Sequence, residues 1–342
     1  MFQTEAIFLR KKGRPEDAFE LKSTQLNELQ EDEVLIESEA FGLNYADVMA
    51  RNGLYREAPT MPCVIGYELV GKIVQLGTNA NPTLLGKRVV AFCRFGGYSK
   101  HVITKHFAVV EIDDIPSEEA MALCTQAVTA YYMAEILAPV RKGDNVLIHA
   151  AAGGVGSILI QLCKRKGANV IAKIGNDLKK ETVLNLGADF VVNYNKSVYE
   201  QEVLKILNGD RLDVSFNPVA GSTMKKDLAL LGSGGRLFLF GGSEMVGGKF
   251  GLLSTLNFLR KMGLLLPIKF MMLSKNILGV NMLKIADNRP QVIQLCLQEV
   301  VSLYKSGALT TVSGAIFNHK EIAEAHALLE SGNSTGKITV KW

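Results

Sequence analysis

A chain of 342 residues exceeds the size at which one hydrophobic core stops growing, so two domains are expected and a small stapled scaffold is excluded. With 48% hydrophobic and 21% charged residues the composition is that of a folded globular protein, outside the ranges of disorder and low complexity. The net charge of +4 is spread along the chain rather than gathered in a basic arm, which argues against a nucleic-acid partner.

Cys63, Cys93, Cys124, Cys163 and Cys296 are odd in number and contain no CxxC pair, so reduced, buried thiols are expected. The N-terminal stretch "MFQTEAIFLRKKGRPEDAF" lacks the order of a secretory signal, which points to the cytoplasm.

In chain order, "EVLIESEAFGLN", "ELVGKIVQLG", "GKRVVAF" and "GGYSKHVIT" read as strands of an antiparallel, barrel-like β domain. At Ser117 the pattern changes: "SEEAMALCTQAVTAYYMAEIL" has helical spacing with Ser117 as its N-cap and opens the helical half of the chain. Then "NVLIHA", "NVIAK", "FVVNY", "LDVSFNP" and "GRLFLFG" read as five strands separated by helical stretches, the signature of a doubly wound parallel sheet.

The apolar segment Phe250 to Leu273 is interrupted by Arg260, Lys261, Pro267 and Lys269, so it reads as burying against protein or lining a pocket rather than as a membrane span. The strand candidate "NILGVNML" follows, and a helix, a further helix and a terminal strand return the chain to the β domain.

In "HAAAGGVGSILIQ", Ala151, Gly153 and Gly156 occupy the three positions of the dinucleotide fingerprint. Residues without Cβ let backbone approach a pyrophosphate, and the amides of a helix N-terminus supply donors. Ala152, Gly153, Gly154 and Val155 are therefore the candidate phosphate loop; a plain tight turn is the alternative that the strand–loop–helix context weighs against.

An acidic residue that would hold an NAD ribose is expected about 20 residues beyond the glycines. The corresponding residues, 17 to 20 past Gly156, are Lys173, Ile174, Gly175 and Asn176. The missing carboxylate, with Lys173, Lys179 and Lys180 nearby, favours the 2′-phosphate of NADPH over NADH. A solvated helix face is the alternative for the lysines alone.

The stretches "FGLNYADVMARNGLY", "PCVIGYELVGKIVQLG", "GKRVVAF", "AAAGGVG", "GADFVVNY" and "GGRLFLFGG" resemble the zinc-free quinone oxidoreductase branch of the medium-chain dehydrogenase/reductase superfamily. Within it, "GLNYADVMARNGLY" looks most like the subgroup of vesicle amine transport protein homologues. The resemblance implies an α/β architecture: a GroES-like β-barrel catalytic domain over residues 1–123 and 284–342 and a Rossmann cofactor domain over 124–283.

Zinc-dependent members place a Cys at Asn44 and a His at Tyr67, and their structural zinc lobe has four cysteines where this chain offers only Cys93, so no metal is expected. The resemblance further implies that Asn44 and Asp47 line the nicotinamide and reaction pocket, with Arg51 and Tyr55 on the same segment; Tyr55 is the candidate proton donor, and Arg51 reads as structural. Helix capping is a compatible role for Asn44 and Asp47.

Lys179 and Tyr194 match positions flanking a 2′-phosphate, whereas an Arg that some relatives supply corresponds to Gly332. Thr129, Gly241, Gly242, Ser243 and Asn281 complete the cofactor-facing set, with core packing the rival role for Thr129 and a plain turn for the glycines. His101, His106, His149, His319 and His326 show no ligand spacing and receive no catalytic role.

The implied chemistry is zinc-independent hydride transfer from NADPH, in the cleft between domains, to a lipophilic quinone or conjugated enone or enal. The competing class is a non-enzymatic NADPH-binding protein that docks a membrane or partner through its apolar insert. A homodimer is implied, formed by the edge strand "NILGVNML".

Overall fold

The computed structural model describes residues 2–246 and 252–342, with side chains omitted at 252–255. Phe250 and Gly251, which open the apolar segment, lie outside the described residues. The chain divides into two compact units, Met1–Val128 with Met282–Trp342, and Thr129–Asn281.

In the first unit the strands are β1 (Gln3–Leu9), β2 (Phe19–Gln25), β3 (Glu33–Gly42), β4 (Cys63–Val64), β5 (Glu68–Leu76), β6 (Arg88–Phe92), β7 (His101–Lys105) and β8 (Val109–Glu111). β1 pairs antiparallel with both β2 and β4, a small sheet that the charged N-terminal sequence did not suggest. β3 organises the larger sheet: one edge pairs with β5, and the other pairs with β7 through Glu33–Glu37. Its apolar residues Val34, Ile36 and Phe41 face a core shared with Leu69, Val89 and Tyr98.

The helix expected from Ser117 is interrupted. It runs Ser117–Leu123, breaks at Cys124, resumes as Thr125–Tyr131 and ends in a π-helical turn. The break has a tertiary cause: the Thr125 N–H donates to the buried Glu68 carboxylate at 2.6 Å. Pro116, not Ser117, is the N-cap, and the Ser117 hydroxyl donates to Glu39 at 3.1 Å.

The second unit carries β9 (Asn145–Ile148), β10 (Asn169–Ile174), β11 (Phe190–Asn193), β12 (Leu212–Asn217), β13 (Leu231–Leu239) and β14 (Asn276–Gly279). Among the described residues these form one sheet in the order β11-β10-β9-β12-β13-β14, parallel at every pairing. That order makes the space between β9 and β12 the topological switch point, where open parallel sheets bind ligands beyond the carboxyl ends of their strands. β14 is an edge strand, as the homodimer reading requires of "NILGVNML".

Between β13 and β14 lie the helices Leu252–Met262 and Pro267–Leu273. Among the described residues no helix is long and apolar enough to cross a membrane. Of this segment, expected to bury against protein or line a pocket, Phe258 is buried within the chain, whereas Leu264, Met271 and Met272 are 87%, 74% and 80% exposed.

The chain returns to the first unit through the helix Pro290–Lys305 and the strands β15 (Ser313–Asn318) and β16 (Lys337–Lys341). β16 pairs antiparallel with Ala40–Gly42 of β3, so the chain's last strand lies beside the start of the helix Tyr45–Arg51.

Candidate cofactor and active site

The glycine loop follows β9 and leads into the helix Gly154–Arg165, with Gly153 at its N-cap. Ala150 adopts a left-handed conformation (φ +49°), and its carbonyl accepts the Gly153 N–H at 2.9 Å. A Cβ on Gly156 would lie 2.5 Å from the Ala150 carbonyl oxygen and 2.7 Å from Ala151 Cα, so the loop folds this tightly only around glycine. Ala152 is buried, whereas Gly153, Gly154 and Val155 are partly open, and the first-turn amides of a helix have no partner within it. This cradle at the switch point fits a pyrophosphate.

Around it, the other expected cofactor positions fall at the carboxyl ends of neighbouring strands. Gly175 and Lys179 follow β10, Tyr194 follows β11, Gly241 to Ser243 follow β13 and Asn281 follows β14. Tyr194 is 49% exposed, its N–H donates to the Ile174 carbonyl at 3.1 Å, and its hydroxyl lies over Gly175, where a Cβ would come within 2.5 Å. Lys179 is half-buried, and that burial lowers the pKa of its ammonium. Gly241 packs against the Pro218 carbonyl, which also accepts the Ser243 N–H at 3.1 Å. Asn281 is exposed, and Thr129 is buried in its helix.

At the expected acidic position, the Asn176 side chain accepts the Leu178 N–H at 3.0 Å and starts a short turn. An acid stands one residue further on. Asp177 forms an ion pair with Lys196 and accepts from Asn193 at 2.5 Å, contacts that hold its carboxyl below the usual range.

Lys173 is placed otherwise than a direct phosphate contact requires. It is 5% exposed, its ammonium is 3.1 Å from His149 Nδ1, and it lies 3.7 Å from the centre of the Tyr199 ring. His149 Nε2 donates to the buried Asp227 at 2.9 Å. Asp227 also accepts from Tyr199 and Ser215, each at 2.8 Å, and from Asn217 at 2.6 Å. Sequence reasoning gave His149 no role and overlooked Asp227; the one available signal was a single acid on an otherwise apolar face of "MKKDLALLG".

In the first unit, Asn44 precedes the helix Tyr45–Arg51, and Asp47 Oδ2 accepts its N–H at 2.8 Å, closing the first turn as capping predicts. The Asn44 side chain is engaged as well: Nδ2 donates to Glu68 at 2.8 Å and Oδ1 accepts from Lys337 at 3.1 Å. Lys337 forms an ion pair with Glu68, and both side chains are fully buried. Neither Glu68, within "PCVIGYELVGKIVQLG", nor Lys337, on β16, stood out in the sequence.

Asp47 Oδ1 is buried without a hydrogen-bond partner, and burial raises the pKa of this carboxyl to about 7. Tyr55 meets Tyr67 edge-on at 6.2 Å between ring centres, and Tyr67 packs on Phe95 at 5.1 Å. Burial raises both phenols, so each remains an O–H donor at neutral pH. Arg51 is buried and pairs with Glu330 at 2.5 Å.

Residues 154–298 match the zinc-binding dehydrogenase family, and residues 30–114 match the alcohol dehydrogenase GroES-like domain. The quinone oxidoreductase of Salmonella typhimurium is 32% identical over 240 residues, covering 70% of this chain and 73% of its own. The chain belongs to the medium-chain dehydrogenase/reductase superfamily.

Solved superfamily members agree across the whole length. The human synaptic vesicle membrane protein VAT-1 homolog-like protein superposes with a TM-score of 0.85 at 26% identity, covering 100% of this chain and 99% of its own. The Escherichia coli quinone oxidoreductase complexed with NADPH gives 0.86 at 26%, covering 99% and 100%. CurK enoyl reductase gives 0.83 at 25%, covering 99% of each chain. A phenolphthiocerol/phthiocerol polyketide synthase polypeptide of Mycobacterium tuberculosis is 28% identical over 95% of this chain, which spans 14% of that relative's length.

The zinc named by the superfamily's cofactor-domain family does not fit the residues present. Asn44 and Glu68 are committed to each other and to Lys337, Tyr67 is a protonated phenol, and burial keeps the Cys93 thiol protonated. Among the described residues no group of three or more His, Cys, Asp or Glu is placed to hold a metal ion. All five cysteines are free and buried.

Proposed function

We propose that this chain is a zinc-independent reductase that uses NADPH to reduce a quinone or a conjugated enone or enal. The observation that carries the reading is the glycine cradle at the switch point of an all-parallel sheet, with Lys179 and Tyr194 following the neighbouring strands β10 and β11 and no free carboxylate at the ribose position. The E. coli and CurK relatives, an NADPH complex and an enoyl reductase, support the cofactor and the acceptor class. Bound NADPH would supply the hydride.

The chain's part is positioning and charge. Gly153, Gly154 and Val155 hold the pyrophosphate, with Ala152 shaping the loop; Lys179 and Tyr194 hold the 2′-phosphate; Thr129, Gly241, Gly242, Ser243 and Asn281 bound the rest of the cofactor site. Asn44, fixed by Glu68 and Lys337, and Asp47 shape the acceptor pocket, and the Tyr55 hydroxyl donates a hydrogen bond to the acceptor oxygen. Residues 1–123 and 284–342 serve as the catalytic domain and 124–283 as the cofactor domain. The protein acts as a cytoplasmic homodimer joined along β14, a reading supported by that strand's edge position and by reduced thiols.

NADPH oxidation by metal-free protein with ortho- and para-quinones and enals tests the reaction. Turnover is expected with at least one acceptor; none with any, or a requirement for zinc, overturns it. NADPH should bind more tightly than NADH, with Lys179→Ala narrowing the gap.

A second reading is favoured by the exposed Leu264, Met271 and Met272: a non-enzymatic NADPH-binding protein that docks through this segment. Co-sedimentation with lipid vesicles in the absence of turnover would select it.

A further inference from the structure

Lys173, near the carboxyl end of β10, is a buried cation held by a specific chain of groups. Its neighbours are His149 at the end of β9, Tyr194 after β11, Tyr199 and Glu200 from the helix Tyr199–Leu207, and Lys226 and Asp227 from the helix Ser222–Leu230. Burial keeps His149 neutral, its Nε2–H donates to Asp227, and Nδ1 is left as an acceptor for the Lys173 ammonium. Burial alone would raise the Asp227 carboxyl, but the electrostatic effect of His149 and hydrogen bonds from His149, Tyr199 and Ser215 outweigh it and hold the carboxyl below its ordinary value. Glu200 and Lys226 pair with each other at 2.7 Å.

The Lys173 ammonium is 5.0 Å from the centre of the Tyr194 ring, whose hydroxyl lies over Gly175 just past the carboxyl end of β10. A cation behind a phenol favours a negatively charged acceptor at its hydroxyl, and a field acting through protein is screened less than one through water.

We propose that Lys173, held by the His149–Asp227 pair, is a positioning residue that acts from behind Tyr194 to select a 2′-phosphorylated nicotinamide cofactor over its unphosphorylated form. The inference rests on the NADPH reading above and assigns part of that preference to a residue that does not touch the phosphate. Burial lowers the Lys173 pKa to about 8, so its charge fades as the pH rises through that value.

The test is the ratio of NADH to NADPH dissociation constants between pH 7 and 9.5. In the native protein the ratio should exceed one at pH 7 and fall with rising pH. Lys173→Met should lower it about fivefold at pH 7, with NADH affinity within about twofold of native, and make the fall with pH shallower, leaving the part that Lys179 contributes. Lys173→Arg should restore the ratio at pH 7 and lose the part of the fall centred near pH 8, leaving only the part that Lys179 contributes. A native ratio independent of pH, or a Lys173→Met ratio equal to the native one, overturns the inference. A native ratio of one at pH 7 overturns the NADPH reading itself, whereas a native preference that survives Lys173→Met removes only the role of Lys173.

Discussion

Lys337 of β16 and Glu68 of β5 form an ion pair from which water is fully excluded. The pair joins strands 269 residues apart in sequence, and the spare capacity of each partner goes to Asn44, the Leu43 carbonyl and the Thr125 N–H. One contact thus fixes both an expected pocket residue and the break in the helix after Leu123.

Removing one partner leaves the other buried and uncompensated. Lys337→Met should destabilise the first unit by about 3–5 kcal/mol, read by denaturant unfolding. Adding Glu68→Gln should recover part of that loss; a double variant no more stable than the single one contradicts the pairing argument.

Asp47 should leave a pH signature. Its folded pKa, about 7, lies above the ordinary 3.8, so the folded state binds more protons than the unfolded state between those values. Stability from this group is therefore present at low pH and lost as the pH rises from about 4 to 7, by up to about 4 kcal/mol. Asp47→Asn keeps an acceptor for the Asn44 N–H, and its stability curve should lack this slope.

Asp227 accepts from four side chains in a space closed to water. Asp227→Ala strands His149, Tyr199, Ser215 and Asn217, at an expected cost of about 3–5 kcal/mol in thermal or chemical unfolding.

Two glycine substitutions should behave differently. Gly156→Ala drives a Cβ into backbone atoms of Ala150 and Ala151, so melting temperature and affinity for both cofactors should fall, the latter about tenfold or more. Gly175→Ala meets only the end of the Tyr194 side chain, which is free to swing away. Stability should hold while NADPH affinity falls and NADH affinity does not, as measured by calorimetric titration.

The sequence by itself determined what depends on local pattern. Alternation between apolar strands and helical spacing located five of the six parallel strands of the second unit, with the sixth noted as a strand candidate, and the glycine cluster after "NVLIHA" marked the cradle, because a tight strand-to-helix turn admits few residues. Asn44 and Asp47 were legible for the same reason: helix starts have a short-range grammar.

Tertiary structure alone decided which polar groups meet. Glu68, Thr125 and Lys337 are remote in sequence, and so are Lys173, His149 and Asp227; a buried charge is tolerable only where partners from other elements converge, and no local periodicity encodes that convergence. The same physics broke the helix at Cys124 and took Lys173 from the surface into the sheet. A buried carboxylate outcompetes a helix carbonyl for an N–H, and an imidazole and an aromatic face replace the water around an ammonium.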